Sequence, residues 1–408
     1  FRELADVSVL WHDGAWYMYP SVDMAWVSKD GGATWQHHPL NVRDLGYAPT
    51  VAKHKGKFLL MASESSVHTA DSPLGPFKEL GPIVLPKGVP GQIDPMLFSD
   101  DDGKLYYYWG CTPTEGIYGV ELDADNPTKV VGTPVQVVAF EPENSPWHRL
   151  GDWNEQPARG WVEGAWMLKR DGKYYLTYAA AGTENRSYAT GCSVGKSPLG
   201  PFTPQKNNPV LRTTKGLVTG TAHGCVVEGP HKSLWAFYTV QAGVVHGFER
   251  RLGMDPVSIG ADGELRIDGA SSLPRRLPTS AKGAEPTGWL PLNAGPKTVG
   301  STDAANLSGR LAVDDDLRTW WQPAADDKSP TLTSNLTTPG AVVRAVRVVW
   351  RDVGLNTKDG AKPGAFRYRV EVQTAADKWA TVIDRSQSTD DLLIDYRECP
   401  ATPGTAAR

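Results

Sequence analysis

The stretch from Trp161 to Tyr178, WVEGAWMLKRDGKYYLTY, contains one carboxylate, Glu163, in an otherwise apolar strand start. Its residues alternate with a period of two, turn at Arg170-Asp171-Gly172 and return through an aromatic-rich segment, which predicts a β-hairpin. A Glu between tryptophan side chains loses solvation, which favours a carboxylic acid able to donate a proton. For one hairpin considered alone, the alternative is a Glu that faces water at a strand end.

The same pattern of a polar residue, an apolar strand, a turn and an aromatic-rich strand occurs five times. The turns fall near Gly14, Gly56, Gly103, Gly172 and Lys232. Repeats of this size predict a five-bladed β-propeller. The first strands begin at Asp6, Ala48, Asp94, Glu163 and His223. Because the innermost strands of a propeller line its central channel, we expect three carboxylates and a histidine to meet at one mouth.

The chain of 408 residues is too long for one ordinary hydrophobic core, so two domains are expected. A stretch rich in Pro, Thr, Ser, Gly and Ala separates the repeats from a region of short strands and turns, which is typical of a β-sandwich. We therefore predict an all-β protein with a propeller at 1–277, a linker at 278–296 and a sandwich at 297–408, incomplete at its C-terminal end.

Charge and hydropathy exclude several kinds of partner. The net charge of −4, the pI near 6.2 and the lack of a basic run argue against nucleic acid. No apolar stretch reaches the roughly 20 residues of a membrane span. Because the sequence begins at Phe1 without Met, we expect a processed N-terminus and a secreted or periplasmic location. Nothing in the sequence indicates an oligomeric state.

The four cysteines, Cys111, Cys192, Cys225 and Cys399, have no CxxC spacing, which disfavours a structural zinc site. Cys192 and Cys225 lie on neighbouring predicted blades. They could form a disulfide, or both could be small buried thiols.

Candidate sugar contacts come from a long loop and from the last blade. The loop, residues 142–160, carries Trp147 and Trp153 and leads to Trp161. Long loops in compact domains are usually functional, and indole rings stack on sugars, although most tryptophans belong to the core. Arg251 could hold a substrate hydroxyl or carboxylate in the channel, or it could form a surface ion pair.

A second motif favours a different class of enzyme. The segment SKDGGATW, residues 28–35, has the form of an Asp-box, in which Asp30 binds the backbone of a turn and Trp35 packs beneath it. Asp-boxes are familiar from sialidases. Sialidases, however, use six blades, a tyrosine nucleophile and three arginines, whereas five repeats are present here.

The repeats resemble the family 43 glycoside hydrolases. The resemblance rests on Asp6 near the N-terminus, Asp94 in an Ile-Asp-Pro context, Glu163 followed by Gly, and His223 in an Ala-His-Gly context. Asp6 is followed by Val7, where the family usually has Pro. The resemblance implies that Asp6 is the general base, that Glu163 is the general acid, and that Asp94 orients Glu163. It also implies a Ca²⁺ ion in the channel, held by His223 through water.

The implied function is an exo-acting, inverting glycosidase for non-reducing-end furanosides or pentosides of a polysaccharide. An α-L-arabinofuranosidase, a β-xylosidase and a β-galactofuranosidase all remain open. The alternatives are a non-catalytic carbohydrate-binding propeller and a sialidase-like hydrolase.

The C-terminal region resembles a discoidin-like, or family 32 carbohydrate-binding, module. The motif Ala312-Val313-Asp314-Asp315-Asp316, followed by Thr319-Trp320-Trp321, is similar to the A-x-D-G-D-x-x-T-x-W signature of that module. Asp315 stands where Gly is common. The resemblance implies sugar binding without a catalytic group.

Overall fold

A computed structural model describes residues 4–42, 45–241, 250–272, 274–275, 290–293, 297–338, 340–351 and 364–408. The chain divides into two compact units, Phe1–Thr287 and Gly288–Arg408. This division falls within the predicted linker 278–296, which lies outside the described residues except for 290–293.

Each of the five repeats in the first unit forms four antiparallel strands. Blades one to three contain β1 (Ser8–His12), β2 (Ala15–Tyr19), β3 (Ala25–Ser28), β4 (Gln36–His38), β5 (Thr50–His54), β6 (Lys57–Met61), β7 (Val67–Ala70), β8 (Lys78–Gly81), β9 (Met96–Ser99), β10 (Leu105–Trp109), β11 (Gly116–Asp123) and β12 (Asn126–Ala139). Blades four and five contain β13 (Trp161–Arg170), β14 (Lys173–Ala181), β15 (Ala189–Gly195), β16 (Phe202–Pro204), β17 (Thr219–Glu228), β18 (Leu234–Gln241), β19 (Arg250–Ile259) and β20 (Leu265–Ile267). Short 3-10 helices occupy Pro146–His148 and Pro230–Lys232.

The hairpin turns explain the regular repeat. Two-residue turns that match the twist of the flanking strands need positive φ at both central residues, which Gly provides without strain and Asp tolerates. Positive φ occurs at the pairs Asp13-Gly14, Lys55-Gly56 and Asp171-Gly172. These turns set the register of the first hairpin in blades one, two and four.

The blades close into a ring. Each innermost strand contacts the next, from β1 through β5, β9 and β13 to β17, and β17 contacts β1. Five apolar clusters of described residues fill the five interfaces between successive blades, and Trp16, Trp109 and Trp235 are among their fully buried members. The predicted five-bladed, all-β architecture is confirmed.

The Asp-box is a turn device at the edge of blade one. Asp30 accepts hydrogen bonds from Ser28 Oγ at 2.8 Å and from Thr34 N at 2.9 Å, and Trp35 Nε1 donates to Gly32 O at 3.1 Å. All of these contacts are local, so the motif stabilises the turn between β3 and β4.

Two other sequence features are structural. All four cysteines are free thiols, and Cys192 and Cys225 are buried in the interfaces of blades four and five and of blades five and one. In the turn between β9 and β10, which contains Asp100, Asp101 and Asp102, Asp100 is buried, accepts a hydrogen bond from Tyr174 Oη at 2.6 Å and pairs with Lys169 at 2.6 Å.

The second unit is a pair of β-sheets. It contains β21 (Thr298–Gly300), a 3-10 turn at Gly309–Ala312, β22 (Leu332–Asn335), β23 (Ala341–Val349), β24 (Arg369–Ala375), β25 (Lys378–Asp384), β26 (Ile394–Gly404) and β27 (Ala406–Ala407). One sheet has the order β21-β22-β27-β24-β25, and the other pairs β23 with β26. Leu336, Val343 and Val372 form the buried centre, as expected for the predicted sandwich.

Candidate active site

Three carboxyl groups meet around one imidazole, and the four side chains come from four blades. Asp6, Asp94, Glu163 and His223 are between 5% and 9% exposed. The Nδ1 atom of His223 lies 3.4 Å from Asp6 Oδ1, 3.9 Å from Asp94 Oδ2 and 4.0 Å from Glu163 Oε1. Asp6 Oδ1 and Glu163 Oε1 are therefore no more than 7.4 Å apart, the total of their two distances to Nδ1.

Each innermost strand has a left-handed residue, which stands two positions before β1, β5 and β9 and lies within β13 and β17. Asp6, Ala48, Asp94 and His223 have φ between 48° and 53°. In blade four the left-handed residue is not Glu163 but Gly164, with φ 61°. The acid of this blade therefore stands one position earlier than its counterparts.

Gly164 also makes room for the histidine. A Cβ atom added there would lie 2.7 Å from the imidazole Cδ2 of His223, closer than real carbon contacts allow. Because the position combines positive φ with this close approach, only Gly fits without strain. The Glu-Gly pair therefore brings both Glu163 and His223 into the cluster.

Asp6 is held by groups of blades one and five. Arg250 donates from Nη1 and Nη2 to the two carboxylate oxygens at 2.8 Å each, in a bidentate pair. Ser21 Oγ donates to Oδ2 at 2.8 Å, and the main-chain N of Asp6 donates to Thr239 Oγ1 at 2.8 Å. These contacts fix the position and orientation of the carboxylate.

Glu163 accepts hydrogen bonds at both oxygens. Tyr188 Oη donates to Oε1, and Cys111 Sγ donates to Oε2 at 2.9 Å. Both donors belong to loops distant from Glu163 in sequence. Burial and the neighbouring carboxylates raise the pKa of the Cys111 thiol and that of the Tyr188 hydroxyl, so both groups keep their protons and act as donors.

Burial and the neighbouring charges shift the pKa values of Asp94 and His223. Burial raises the pKa of Asp94 to about 7, and the charges of Glu163 and Asp6 act in the same direction, whereas His223 opposes them. For His223, burial lowers the pKa, but the three carboxylates outweigh it, so the pKa lies above its ordinary value. The imidazolium form of His223 is thus favoured among the acids.

The cluster does not suit a directly bound calcium ion. The donor atoms of Asp94, Glu163 and His223 lie within 4.8 Å of one another, which is close enough for one ion. Calcium takes six to eight oxygen ligands, however. One of the three groups here is an imidazole, which is a nitrogen ligand and whose raised pKa favours the protonated, cationic form. We therefore assign no step of the reaction to a metal.

The prediction that Trp147 contacts a sugar is wrong, because this side chain belongs to the core. It is 7% exposed and packs in the core on Tyr178, with ring centroids 5.5 Å apart, because its 3-10 turn folds back onto blade four. Trp153 is 56% exposed, and the Arg186 guanidinium carbon lies 5.5 Å from the centre of its ring. Trp161 is half-buried at the first position of β13.

The arginine that reaches the cluster is Arg250 rather than the predicted Arg251. Neighbouring residues of a strand point to opposite faces, and the face of β19 that meets Asp6 belongs to Arg250. Arg251 is half-buried and its Nη1 donates to the main-chain O of Arg250 at 2.7 Å. The predicted arginine and the observed one are therefore neighbours in sequence on the same strand.

Comparison with known families identifies the first unit. The sequence profile of glycosyl hydrolases family 43 matches residues 14–265. The chain belongs to glycosyl hydrolases family 43. The match includes Asp94, Glu163 and His223 and begins after Asp6.

Two curated proteins with similar sequences are named for different activities. Xylan 1,3-beta-xylosidase from Vibrio sp. is 34% identical over 205 residues, which are 45% of this chain and 34% of that protein. Beta-D-galactofuranosidase xynD from Aspergillus niger is 32% identical over 175 residues, which are 42% of this chain and 44% of that protein. The alignments thus span less than half the length of these relatives.

Solved structures share the fold of this family 43 chain. A thermostable family-43 glycoside hydrolase has a TM-score of 0.58 and 24% identity, covering 67% of this chain and 95% of its own. A structure described as a glycoside hydrolase has a TM-score of 0.53 and 19% identity, covering 99% and 93%. Within the described part of the chain, no helix has the length and apolar character needed to cross a membrane.

Proposed function

We propose that this chain is an exo-acting, inverting glycoside hydrolase that removes non-reducing-end furanosides or pentosides from a polysaccharide. The observation that carries the proposal is the meeting of Asp6, Asp94 and Glu163 around His223, in a buried cluster on or next to four innermost strands. Glycoside hydrolysis needs two carboxyl groups on opposite sides of the scissile bond, and this cluster supplies them.

Glu163 is the general acid in this proposal. It gives its proton to the glycosidic oxygen as the bond to the sugar breaks, so the leaving group departs as a neutral alcohol. The carboxylate that forms then accepts hydrogen bonds from Tyr188 and Cys111, which are already in place. Donors positioned in this way stabilise the negative charge that forms on Glu163.

Asp6 is the general base. It accepts one proton from a water molecule whose oxygen attacks the anomeric carbon from the opposite face. The bidentate contact with Arg250 and the bond from Ser21 keep the carboxylate in one orientation for this transfer. Because no glycosyl-enzyme intermediate forms, the anomeric configuration inverts.

Asp94 and His223 adjust the charge of the pocket. Asp94 lies close to Glu163, and its pKa of about 7, raised mainly by burial, means that Asp94 itself is partly protonated near neutrality. The charge of His223 offsets part of the repulsion among the carboxylates. Asp94 therefore supports and orients Glu163 in the proposed mechanism.

The substrate class follows from the relatives. Family members with similar sequences are named xylosidase, xylosidase/arabinosidase and galactofuranosidase. The deciding experiment is a panel of nitrophenyl α-L-arabinofuranoside, β-xyloside and β-galactofuranoside, assayed for release of the aryl group. Release from at least one supports the proposal, and failure with all three by a folded protein argues against it.

The stereochemical part of the proposal has its own test. Proton NMR of the sugar first formed, recorded before mutarotation, should show the inverted anomer. A retained anomer would mean that one carboxylate is a nucleophile and that the role of Asp6 is wrong.

For the second unit we propose a discoidin-like module that binds carbohydrate. Thr319 Oγ1 donates to Asp314 Oδ2 at 2.8 Å, so two residues of the signature bond to each other, and Trp321 Nε1 donates to Asp303 Oδ1 at 3.0 Å. The test compares the full chain with a chain ending at residue 296 for binding to insoluble polysaccharide. A folded shortened chain that binds equally well would contradict the proposal.

Calcium and cellular location remain predictions. A Ca²⁺ ion held by His223 through water would be detected by elemental analysis of the purified protein before and after dialysis against a chelator. Secretion or a periplasmic location would be tested by cell fractionation of the natural producer.

A further inference from the structure

We propose that Tyr188 is a positioning residue that assigns the two oxygens of Glu163 to different tasks. Oε1 stays a hydrogen-bond acceptor throughout the reaction, whereas Oε2 carries the proton that is transferred. The inference rests on the proposed function and adds to it the atom from which the proton leaves.

Among the described residues, the hydroxyl of Tyr188 has one hydrogen-bond partner, which is Glu163. The side chain is 0% exposed and packs against Ala179 and Ala222, which offer no polar side-chain atom. Its hydroxyl donates to Glu163 Oε1. A buried phenol that lost this acceptor would leave a polar group without a partner, so the donor stays on Oε1.

The environment of Oε2 is different. Its partner is Cys111 Sγ, at 2.9 Å. A thiol is a weak donor and also a weak acceptor, so it can turn its hydrogen away when Oε2 gains a proton. A proton on Oε1 would make that oxygen a hydroxyl, which is a poorer acceptor for the phenolic hydrogen than a carbonyl or carboxylate oxygen. The two partners therefore favour the protonated form in which the hydrogen is on Oε2.

The position of Tyr188 is itself fixed by neighbouring loops. Ser187 Oγ donates to Gly151 O at 2.6 Å, and Arg186 N donates to Asp152 Oδ1 at 2.9 Å. The same loop carries Thr183, whose Oγ1 accepts a hydrogen bond at 2.9 Å from Arg250, the partner of Asp6. One loop, residues 182–188, thus contacts the surroundings of both carboxylates.

The proton transfer balances on this assignment. The O–H bond at Oε2 breaks, a new O–H bond forms at the glycosidic oxygen, and its electron pair comes from the breaking bond to the sugar. Asp94 and His223 also face Glu163, the latter with Nδ1 4.0 Å from Oε1. His223 therefore adds positive charge beside Oε1, whereas Asp94 interacts with the Cys111 thiol, the partner of Oε2.

The test is Tyr188→Phe, assayed on aryl glycosides whose leaving groups range from activated to poor. Loss of a hydrogen bond to a charged group should lower kcat about 10- to 100-fold for poor leaving groups, which need full protonation. For activated leaving groups the change should stay within about threefold, with KM nearly constant. The matched control is Tyr175→Phe, which removes a hydroxyl bonded to Gly263 O at 3.1 Å, away from the cluster.

The outcomes separate the two proposals. A wild-type protein that releases no aryl group from any glycoside contradicts the proposed function itself. An active wild type with Tyr188→Phe equal to it, or reduced equally for all leaving groups, overturns the role of Tyr188 alone. If thermal melting shows that Tyr188→Phe does not fold, Ser187→Ala decides, because it loosens the loop and keeps the phenol. It should give a smaller change of the same kind, and an unchanged leaving-group dependence overturns the inference.

Discussion

The guanidinium of Arg250 holds both carboxylate oxygens of Asp6 at 2.8 Å, although 244 residues separate the two in sequence. Both side chains are at least 95% buried. A buried pair of this kind fixes orientation because the planar guanidinium fork matches the carboxylate.

Arg250→Met should lower kcat by about 100-fold, because a misplaced base costs about that much in rate. It should also lower the free energy of unfolding by about 3–5 kcal/mol, since Asp6 would remain buried without its cation. Activity assays and denaturant titrations measure the two effects. Arg251→Met is the control on the same strand, and an equal loss of activity in that variant would contradict the assignment.

Asp6→Asn and Glu163→Gln should differ in their dependence on the leaving group. Loss of the acid should affect poor leaving groups most and largely spare activated aryl groups, which leave without protonation. Loss of the base should affect all substrates by a similar factor. A series of aryl glycosides measures this, and parallel losses in both variants would show that the roles are not separate.

Asp94 should contribute stability that falls as the pH rises from about 4 through about 7, whereas His148, whose pKa burial lowers to about 4, contributes in the opposite sense between about 4 and its ordinary value of 6.5. The folded-state pKa of Asp94, about 7, lies above its ordinary value of 3.8, so the folded protein binds a proton that the unfolded chain releases in that window. The raised pKa of His223 extends the loss above its ordinary value of 6.5. Thermal melting of the wild type and of Asp94→Asn between pH 4 and pH 9 measures how the contribution of Asp94 to stability changes with pH.

Asp94→Asn should remove this contribution and raise stability at pH 8, on the order of 1–4 kcal/mol, because each pKa unit corresponds to about 1.4 kcal/mol. Asn adopts positive φ readily, so the backbone at φ 53° is kept. Lower stability of this variant at pH 8 would show that the charge of Asp94 is favourable in the folded state.

Gly164→Ala should both destabilise the fold and disable the site. The added Cβ would approach the His223 ring to 2.7 Å, which adds overpacking of about 1–3 kcal/mol to the strain of positive φ. Gly172→Ala in the turn of the same hairpin is the control, since its φ is 72° but no atom lies within 4 Å of the new Cβ. Equal losses in the two variants would mean that the contact with His223 is unimportant.

The repeat pattern was sufficient to predict the propeller and the meeting of its strand starts. Alternation and turn residues are local signals, and the five-fold repeat places equivalent positions at one mouth. Pattern alone did not reveal the offset in blade four, where Gly164 takes the left-handed position and Glu163 precedes it. That offset depends on close packing against His223, which only the folded chain shows.

The remaining contacts of the site could not be read from the sequence. Tyr188 and Cys111 reach Glu163 from separate loops, and no repeat marks either residue. The choice between Arg250 and Arg251 depends on which face of β19 meets the channel, and a one-residue difference in strand register reverses it. Trp147 had a favourable loop context, but its ring packs in the core.

The closure of the ring has a consequence for biosynthesis. Asp6 precedes all five blades and leaves the ribosome before its partners Thr239 and Arg250, which belong to the last blade. A nascent chain with four blades complete would therefore expose a base without its support and a channel open on one side. Hydrolytic competence would arise in one late step, when the fifth blade joins the first, and enzyme activity would report the completion of that step.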